Sequence, residues 1–193
     1  MITIPKTANN FKAIYEAIKL IDKKDARKYC KYITVQKKAF YITDSKALFK
    51  INQHEYDTIE DGFYMVESKT KSQICLVRVC DIENNAPDFE ACLNPAYDDY
   101  KTLHLTAGFS HTSLAYIIYT KTKVCIDFNY VKVLFDLDIY SELLFKEKSA
   151  MFAMTDILTF VVMPINMDHI DGEAIIIDQP KPALCKSLNC RKG

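Results

Sequence analysis

The sequence predicts an α+β fold in which a strand, a helix and an antiparallel meander occur twice. Two segments, 7–22 and 128–137, carry apolar residues at the spacing of an amphipathic helix. Each is followed by short stretches of strand-forming residues separated by polar turns. Twelve tyrosines and eleven phenylalanines against four glycines also favour a sheet-rich structure. The two helices therefore mark two similar units.

The first unit is predicted to span residues 1–85 and to begin with a strand at 1–5. Its helix carries one apolar stripe, formed by Phe11, Ile14, Tyr15, Ile18 and Ile21. A meander follows the helix, and two further strands follow a polar turn at 57–62. The strands are predicted at 29–35, 39–43, 47–52, 63–67 and 73–80.

Residues 86–101 are predicted to be a linker, because this part of the chain combines prolines with several Asp and Asn residues. The second unit is predicted at 102–167, and 168–193 form a C-terminal extension. Asn129, with Asp127 just before it, is expected to cap the second helix. A segment at 110–120 fits either a helix capped by Ser110 or Thr112 or a strand. The remaining strands are predicted at 103–106, 124–126, 142–146, 150–154 and 158–164.

Charge and hydropathy restrict the kinds of partner. Lysine plus arginine and aspartate plus glutamate number 25 each, so no global field draws the chain onto nucleic acid. Any DNA contact must come from a local basic face. No apolar run approaches the length of about 18 residues that spans a bilayer, and the start does not resemble a signal sequence. We therefore expect a cytoplasmic protein that has no membrane partner.

No motif indicates catalysis or a cofactor. The sequence has no glycine-rich phosphate loop, no Gly-x-Ser-x-Gly and no His-Glu-x-x-His. The seven cysteines are predicted to be reduced core thiols, because their number is odd and most stand in apolar surroundings. Neither Cys75/Cys80 nor Cys185/Cys190 has a histidine at ligand spacing, which disfavours a structural zinc. His169, near Asp168 and Asp171, fits a polar turn better than a cation site. We predict no catalytic residues, no metal and no cofactor, although scattered carboxylates and thiols leave an enzyme open.

The segment at 123–167 resembles the last repeat of the bacterial sliding clamp, the β-type DNA polymerase processivity factor. Its helix opens with Phe128, Asn129, Tyr130 and Val131, and its last strand reads Val-Val-Met-Pro-Ile at 161–165. The string Ala-Pro-Asp-Phe-Glu at 86–90, followed by Leu93, is similar to the segment that links domains in this family. The resemblance implies a DNA-clamp-like fold, with antiparallel sheets and both helices on one side.

The resemblance also implies two sites. Helices of this kind line the hole of the clamp and contact phosphates without reading bases, which suggests Lys12, Lys19, Lys23 and Lys132 as DNA contacts. The alternative is a solvated helix face. By position, a pocket for partner peptides falls on Val162, Met163 and Pro164. The alternative is that these are core and edge-strand residues, and Asn166 stands where the family tends to carry arginine.

Two functions follow from these expectations. The first is a clamp-like processivity or scaffold protein that binds duplex DNA non-specifically, assembles with copies of itself, and binds DNA polymerase or other clamp-binding proteins. The second is a monomeric clamp-fold module that binds or inhibits other proteins without encircling DNA. Neutral net charge and short length favour the second, and the extension favours it as well. Gln179 and Leu184 suggest that the extension covers the peptide pocket of its own chain.

Overall fold

The computed structural model describes residues 1–53, 59–79, 86–93, 99–106 and 108–165. Within these ranges the chain forms one ten-stranded sheet and five α-helices. The strands are β1 (Ile2–Pro5), β2 (Ile33–Gln36), β3 (Ala39–Thr43), β4 (Ala47–Asn52), β5 (Gly62–Lys69), β6 (Gln73–Arg78), β7 (Lys101–His104), β8 (Glu142–Phe145), β9 (Met151–Met154) and β10 (Leu158–Val162). The helices are α1 (Phe11–Ala17), α2 (Lys28–Lys31), α3 (Phe89–Leu93), α4 (His111–Thr122) and α5 (Phe128–Leu137).

The sheet is built from two meanders that meet at β4 and β10. Its strand order is β1-β6-β5-β2-β3-β4-β10-β9-β8-β7, and the paired strands are antiparallel. On one side of the β4/β10 junction lies the meander β2-β3-β4, and on the other the meander β10-β9-β8. The strand order differs between the two halves: β7 pairs directly with β8, whereas the β5–β6 hairpin separates β2 from β1. The predicted repeat of strand, helix and meander is confirmed.

Three helices cover one face of the sheet. Ile14 of α1, Leu114 of α4 and Leu134 of α5 pack in one core with Phe49 and Phe160. Helix α5 contacts both α1 and α4, so α1 and α5 lie side by side. Side chains alternate across a strand, and Leu48, between Ala47 and Phe49 of β4, therefore points to the opposite face. The predicted α+β, clamp-like arrangement, with both repeat helices on one side, is confirmed.

The smaller helix α3 covers part of the opposite face. Phe89 and Leu93 are 3% and 4% exposed and pack in a second core with Tyr41, Leu48 and Phe152. This helix and the first residue of β7 fall in the range 86–101 that was predicted as a linker. Residues 86–93 are therefore docked on the sheet. The boundaries of the two units remain proposals.

The largest differences from the predicted elements lie at the first helix and before the second. Helix α1 begins at Phe11, because successive turns between Pro5, Ala8 and Phe11 occupy the preceding residues, and a 3-10 turn (Ile18–Leu20) continues it. The predicted strand at 29–35 starts as α2. Residues 124–126 form no strand with the described residues and simply join α4 to α5. The ambiguous segment is a helix, since the Ser110 hydroxyl accepts from the Ser113 amide at 3.2 Å.

Helix α5 has the predicted bounds, but Asp127 is its cap. Its carboxylate accepts the Asn129 N–H at 2.8 Å, and the helix ends where Asp138 adopts a left-handed φ of 58°.

Of the cysteines that the structure describes, Cys30 and Cys75 are buried, Cys125 is half-buried and Cys92 is exposed, and all four are free thiols. Cys80, Cys185, Cys190 and the whole extension at 168–193 lie outside the described residues. No helix in the described ranges is both long and apolar enough to cross a membrane.

Candidate nucleic-acid and partner-binding surfaces

A groove of about 410 Å³ lies between α1 and α5 on the helix face of the sheet. It forms because each helix buries its apolar side, including Ile14 and Val131, and turns its polar side outward. The two cations on the wall are Lys19 and Lys132. The carboxylates on the wall are Glu16, Asp44, Asp127 and Asp136. The groove is therefore acidic on balance, although the whole chain is neutral.

Tyr130 and Asp44 join the two halves of the molecule beneath this groove. The Tyr130 hydroxyl donates to the Asp44 carboxylate at 2.6 Å, and the same carboxylate accepts the backbone N–H groups of Lys46 and Ala47. Burial raises the pKa of Tyr130, and the hydrogen bond to Asp44 raises it further. The phenol is thus held protonated as a donor. This contact ties α5 to the turn that precedes β4.

Replacing Tyr130 with phenylalanine is expected to lower the free energy of unfolding by about 1.5–3 kcal/mol, because a hydrogen bond to a charged group is removed while the ring remains. Urea unfolding followed by circular dichroism measures this difference. Tyr119→Phe is the matched control, since Tyr119 is 39% exposed. Equal stabilities for the two variants would contradict a structural role for the Tyr130–Asp44 contact.

The predicted DNA-contacting lysines are all exposed but do not share one site. Lys19 and Lys132 line the α1–α5 groove, whereas Lys23 lines a separate groove and Lys12 lines neither of them. Lys19 forms an ion pair with Glu16, and the Lys132 ammonium lies 4.9 Å from the centre of the Phe128 ring. Two of these cations are therefore already engaged by neighbours.

The predicted peptide-pocket residues differ in accessibility. Val162 is 1% exposed and packs in the core beneath the helices, so its side chain is closed to a partner in this structure. Met163 is 52% exposed and Pro164 is half-buried. The chain is held here by backbone hydrogen bonds from Met163 N–H to Lys46 C=O at 2.8 Å and from Ile165 N–H to Cys125 C=O at 2.7 Å. Met163 and Pro164 are the accessible part of the predicted pocket.

The sheet face that α3 covers carries a polar cluster that no sequence pattern predicts. Lys50 forms an ion pair with Glu90 at 2.8 Å, and the Tyr41 hydroxyl donates to the same carboxylate. The Lys50 ammonium, and then the Tyr41 hydroxyl, hold the pKa of Glu90 below its usual value. These residues lie far apart in the chain. The only signal was the Pro-Asp-Phe-Glu string, which does not reveal where it docks.

The pKa of Glu90 is lowered on folding, so its ionised form stabilises the fold at pH values above the unfolded-state pKa of about 4.3. This contribution disappears as the pH falls through the folded-state pKa. Glu90→Gln is therefore expected to reduce stability by less than about 1 kcal/mol at pH 7. The difference should vanish in acid. Urea unfolding between pH 3 and pH 7 measures it, with the exposed Glu142→Gln as control. A deficit in Glu90→Gln that stays constant across this range would contradict the assignment.

A second groove, of about 450 Å³, lies between the end of α1 and β5. Its apolar residues include Ile18, Ile21 and Met65, and its cations are Lys23, Lys31 and Lys69. The Lys69 ammonium donates to the Tyr15 carbonyl at 2.7 Å and lies 3.9 Å from the centre of the Tyr15 ring. Burial is the main reason that the pKa of Lys69 is lowered. No pattern in the sequence predicts this groove.

Among the described residues, no group of three or more His, Cys, Asp or Glu side chains is placed to hold a metal ion. The carboxylates of the α1–α5 groove are used in part for capping and turn formation, as Asp127 and Asp44 show. The two grooves present charged and apolar side chains that a partner could contact.

No protein-family model and no curated protein matches the sequence. Solved structures do match. The DNA polymerase III subunit beta of Pseudomonas aeruginosa is 12% identical, with a TM-score of 0.49 over 85% of this chain and 65% of that one. The beta subunit from Thermotoga maritima is 10% identical, with a TM-score of 0.48 over 86% and 64%.

The Helicobacter pylori beta clamp bound to a DNA ligase peptide is 13% identical, with a TM-score of 0.41 over 86% of this chain and 66% of that one. This chain therefore spans slightly less than two thirds of the length of the clamp subunits that it matches. The structural neighbours of this chain are bacterial DNA polymerase III β clamps, to which it is similar at low sequence identity.

Proposed function

We propose that this protein is a non-catalytic scaffold of the sliding-clamp type, which holds duplex DNA and binds replication or repair proteins. The observation that carries the proposal is the placement of α1 and α5 side by side on one face of a sheet that continues across the β4/β10 junction. Such a surface suits backbone contacts, because phosphates require only exposed cations at the right face and no base-reading groups.

The proposed phosphate contacts are the exposed lysines Lys12, Lys19, Lys23 and Lys132. The four carboxylates on the α1–α5 groove repel phosphates and oppose these contacts. We therefore expect weak binding that is sensitive to salt. A closed ring of several subunits raises retention on DNA without increasing the affinity of each contact.

Replacing all four of these lysines with glutamine is expected to weaken DNA binding and to flatten its salt dependence, by about 0.9 in the log–log slope for each phosphate that the variant no longer neutralises. Fluorescence anisotropy with a labelled duplex, measured between low and physiological salt, provides the readout. The matched control replaces Lys6, Lys37, Lys71 and Lys101, which are also exposed but lie on strands and turns. Equal weakening in both variants would contradict a specific helix-face contact.

Assembly and retention on DNA test the clamp proposal more directly. β1 and β7 are the end strands of the described sheet, so copies of the chain can associate through its ends. A multimeric solution mass, together with slower release from circular than from linear DNA, is the expected result.

The partner-binding part of the proposal assigns Met163 and Pro164 to contact with clamp-binding peptides. Mutation of Met163 to glutamate should then weaken binding of such a peptide.

The second candidate is a clamp-fold interaction module that binds or inhibits other proteins and does not encircle DNA. The acid-rich wall of the α1–α5 groove favours it, since Glu16, Asp44, Asp127 and Asp136 outnumber the lysines there. A monomeric solution mass and no retention on circular DNA would support the module. These results would also rule out the ring.

A further inference from the structure

The second groove contains an unpaired strand edge. Strand β5 pairs with β2 only over its first residues, from Gly62, opposite Val35, to Tyr64, opposite Ile33. Beyond Tyr64, β5 continues to Lys69 while the neighbouring chain leaves the sheet at α2. β6 pairs on the other side of β5. No strand within the described ranges pairs with residues 65–69 on the β2 side, which leaves room for one more short strand.

The side chains around this edge determine which kind of strand can bind beside β5. Ile18, Ile21 and Met65 provide apolar surface, and Met65 is 45% exposed. Lys23 and Lys31 stand beside them, against a single carboxylate, Glu67. An open edge supplies main-chain hydrogen bonds, while flanking pockets select the side chains of the added strand. The groove is therefore suited to a short apolar strand with acidic flanks.

We propose that the occupant is residues 171–178 of the same chain, which add a strand to this edge. The segment reads Asp-Gly-Glu-Ala-Ile-Ile-Ile-Asp, so three consecutive isoleucines lie between acidic residues. β-branched residues favour extended backbone, and the apolar run matches the apolar part of the groove. Asp171, Glu173 and Asp178 then lie near Lys23 and Lys31. The stretch contains no lysine or arginine that would oppose them.

The segment is within reach of the groove. Strands β10 and β5 run in the same direction, because four antiparallel pairings separate them. Successive register partners on the five strands from β10 to β5 are Thr159, Lys50, Tyr41, Thr34 and Phe63. The last residues of β10 and β5 therefore lie toward the same end of the sheet, and the described chain stops three residues beyond β10, at Ile165.

The sideways distance is short as well. An added strand beside β5 continues the line of β2, three strand positions from β10. Three spacings amount to roughly 14 Å, which an extended chain covers in about five residues. Residues 166–170 suffice for this. An acidic, apolar strand of another protein would compete for the same edge.

Zero-length carbodiimide cross-linking of the full chain tests the proposal, because this reagent joins only carboxylates and amines in direct contact. Mass spectrometry is expected to find Asp171, Glu173 or Asp178 linked to Lys23 or Lys31. A mixture of ¹⁴N- and ¹⁵N-labelled protein should show these links within one chain. Lys23→Arg/Lys31→Arg keeps the charge and should abolish the links. Links only between chains, links to other lysines instead, or no links would overturn the proposal.

Hydrogen exchange gives an independent readout. Ile176→Pro removes a donor and prevents strand pairing, so those amides in 65–69 that point away from β6 should exchange at least about tenfold faster than in the unaltered chain. Leu184→Pro, outside the proposed strand, is the control and should leave this exchange unchanged. Protection of β10 in both variants shows that the fold is intact. Unchanged exchange at 65–69 in Ile176→Pro would overturn the proposal.

Discussion

Replacing Phe160 with alanine is expected to lower the free energy of unfolding by about 3–5 kcal/mol, because removal of a fully buried ring eliminates apolar packing and leaves a cavity. Phe160 is 0% exposed and stacks on Phe49 with ring centres 4.4 Å apart. The two rings belong to β10 and β4, at the junction of the two halves. The substitution therefore weakens the packing that makes the two meanders one sheet.

Urea unfolding followed by circular dichroism measures this effect, and an unchanged slope with a lower midpoint indicates a change in stability alone. Met154→Ala is the matched control, because Met154 lies in the adjacent strand β9 and is 43% exposed. Its effect should stay within about 0.5 kcal/mol. A decrease below about 1 kcal/mol for Phe160→Ala would contradict a packed junction between the halves.

Replacing Phe89 with alanine is expected to lower the free energy of unfolding by about 3 kcal/mol or more, because the removed ring is buried between α3 and the sheet. Phe89 is 3% exposed, stacks on Tyr41 with centres 5.0 Å apart and meets Tyr29 edge-on at 6.2 Å. A helix of five residues is too short to be stable alone. Removal of the ring should therefore release the helix as well as destabilise the sheet.

The same unfolding measurement, combined with limited proteolysis around residues 86–93, checks this expectation. Faster cleavage there is expected in Phe89→Ala. Cys92→Ala is the control within the same helix, because the Cys92 side chain is exposed. If Phe89→Ala and Cys92→Ala behaved alike, the segment would act as a simple linker. It would then have no role in covering the outer face.

Local patterns predicted several elements closely. The spacing of Val131 and Leu134 with Asp127 just upstream predicted α5 with the bounds that the structure shows. The alternation in β3 and β4 predicted their hairpin. The start of α1 was missed because the turns at Pro5 and Ala8 are stabilised by backbone hydrogen bonds that leave no side-chain signature. Residues 124–126 look like a strand, since buried apolar residues in a connection have the same composition as a short strand.

Sequence patterns were enough to predict the two helix-and-meander units, the absence of global charge and the candidate lysines. The insertion of the β5–β6 hairpin between β2 and β1 and the docking of α3 on the sheet became visible only in the folded chain. Tertiary structure also brings carboxylates from α1, the turn before β4 and α5 together with Lys19 and Lys132 in one groove. The physical reason is that periodicity reports which side of an element is buried, whereas strand order and convergence depend on contacts between residues far apart in the chain.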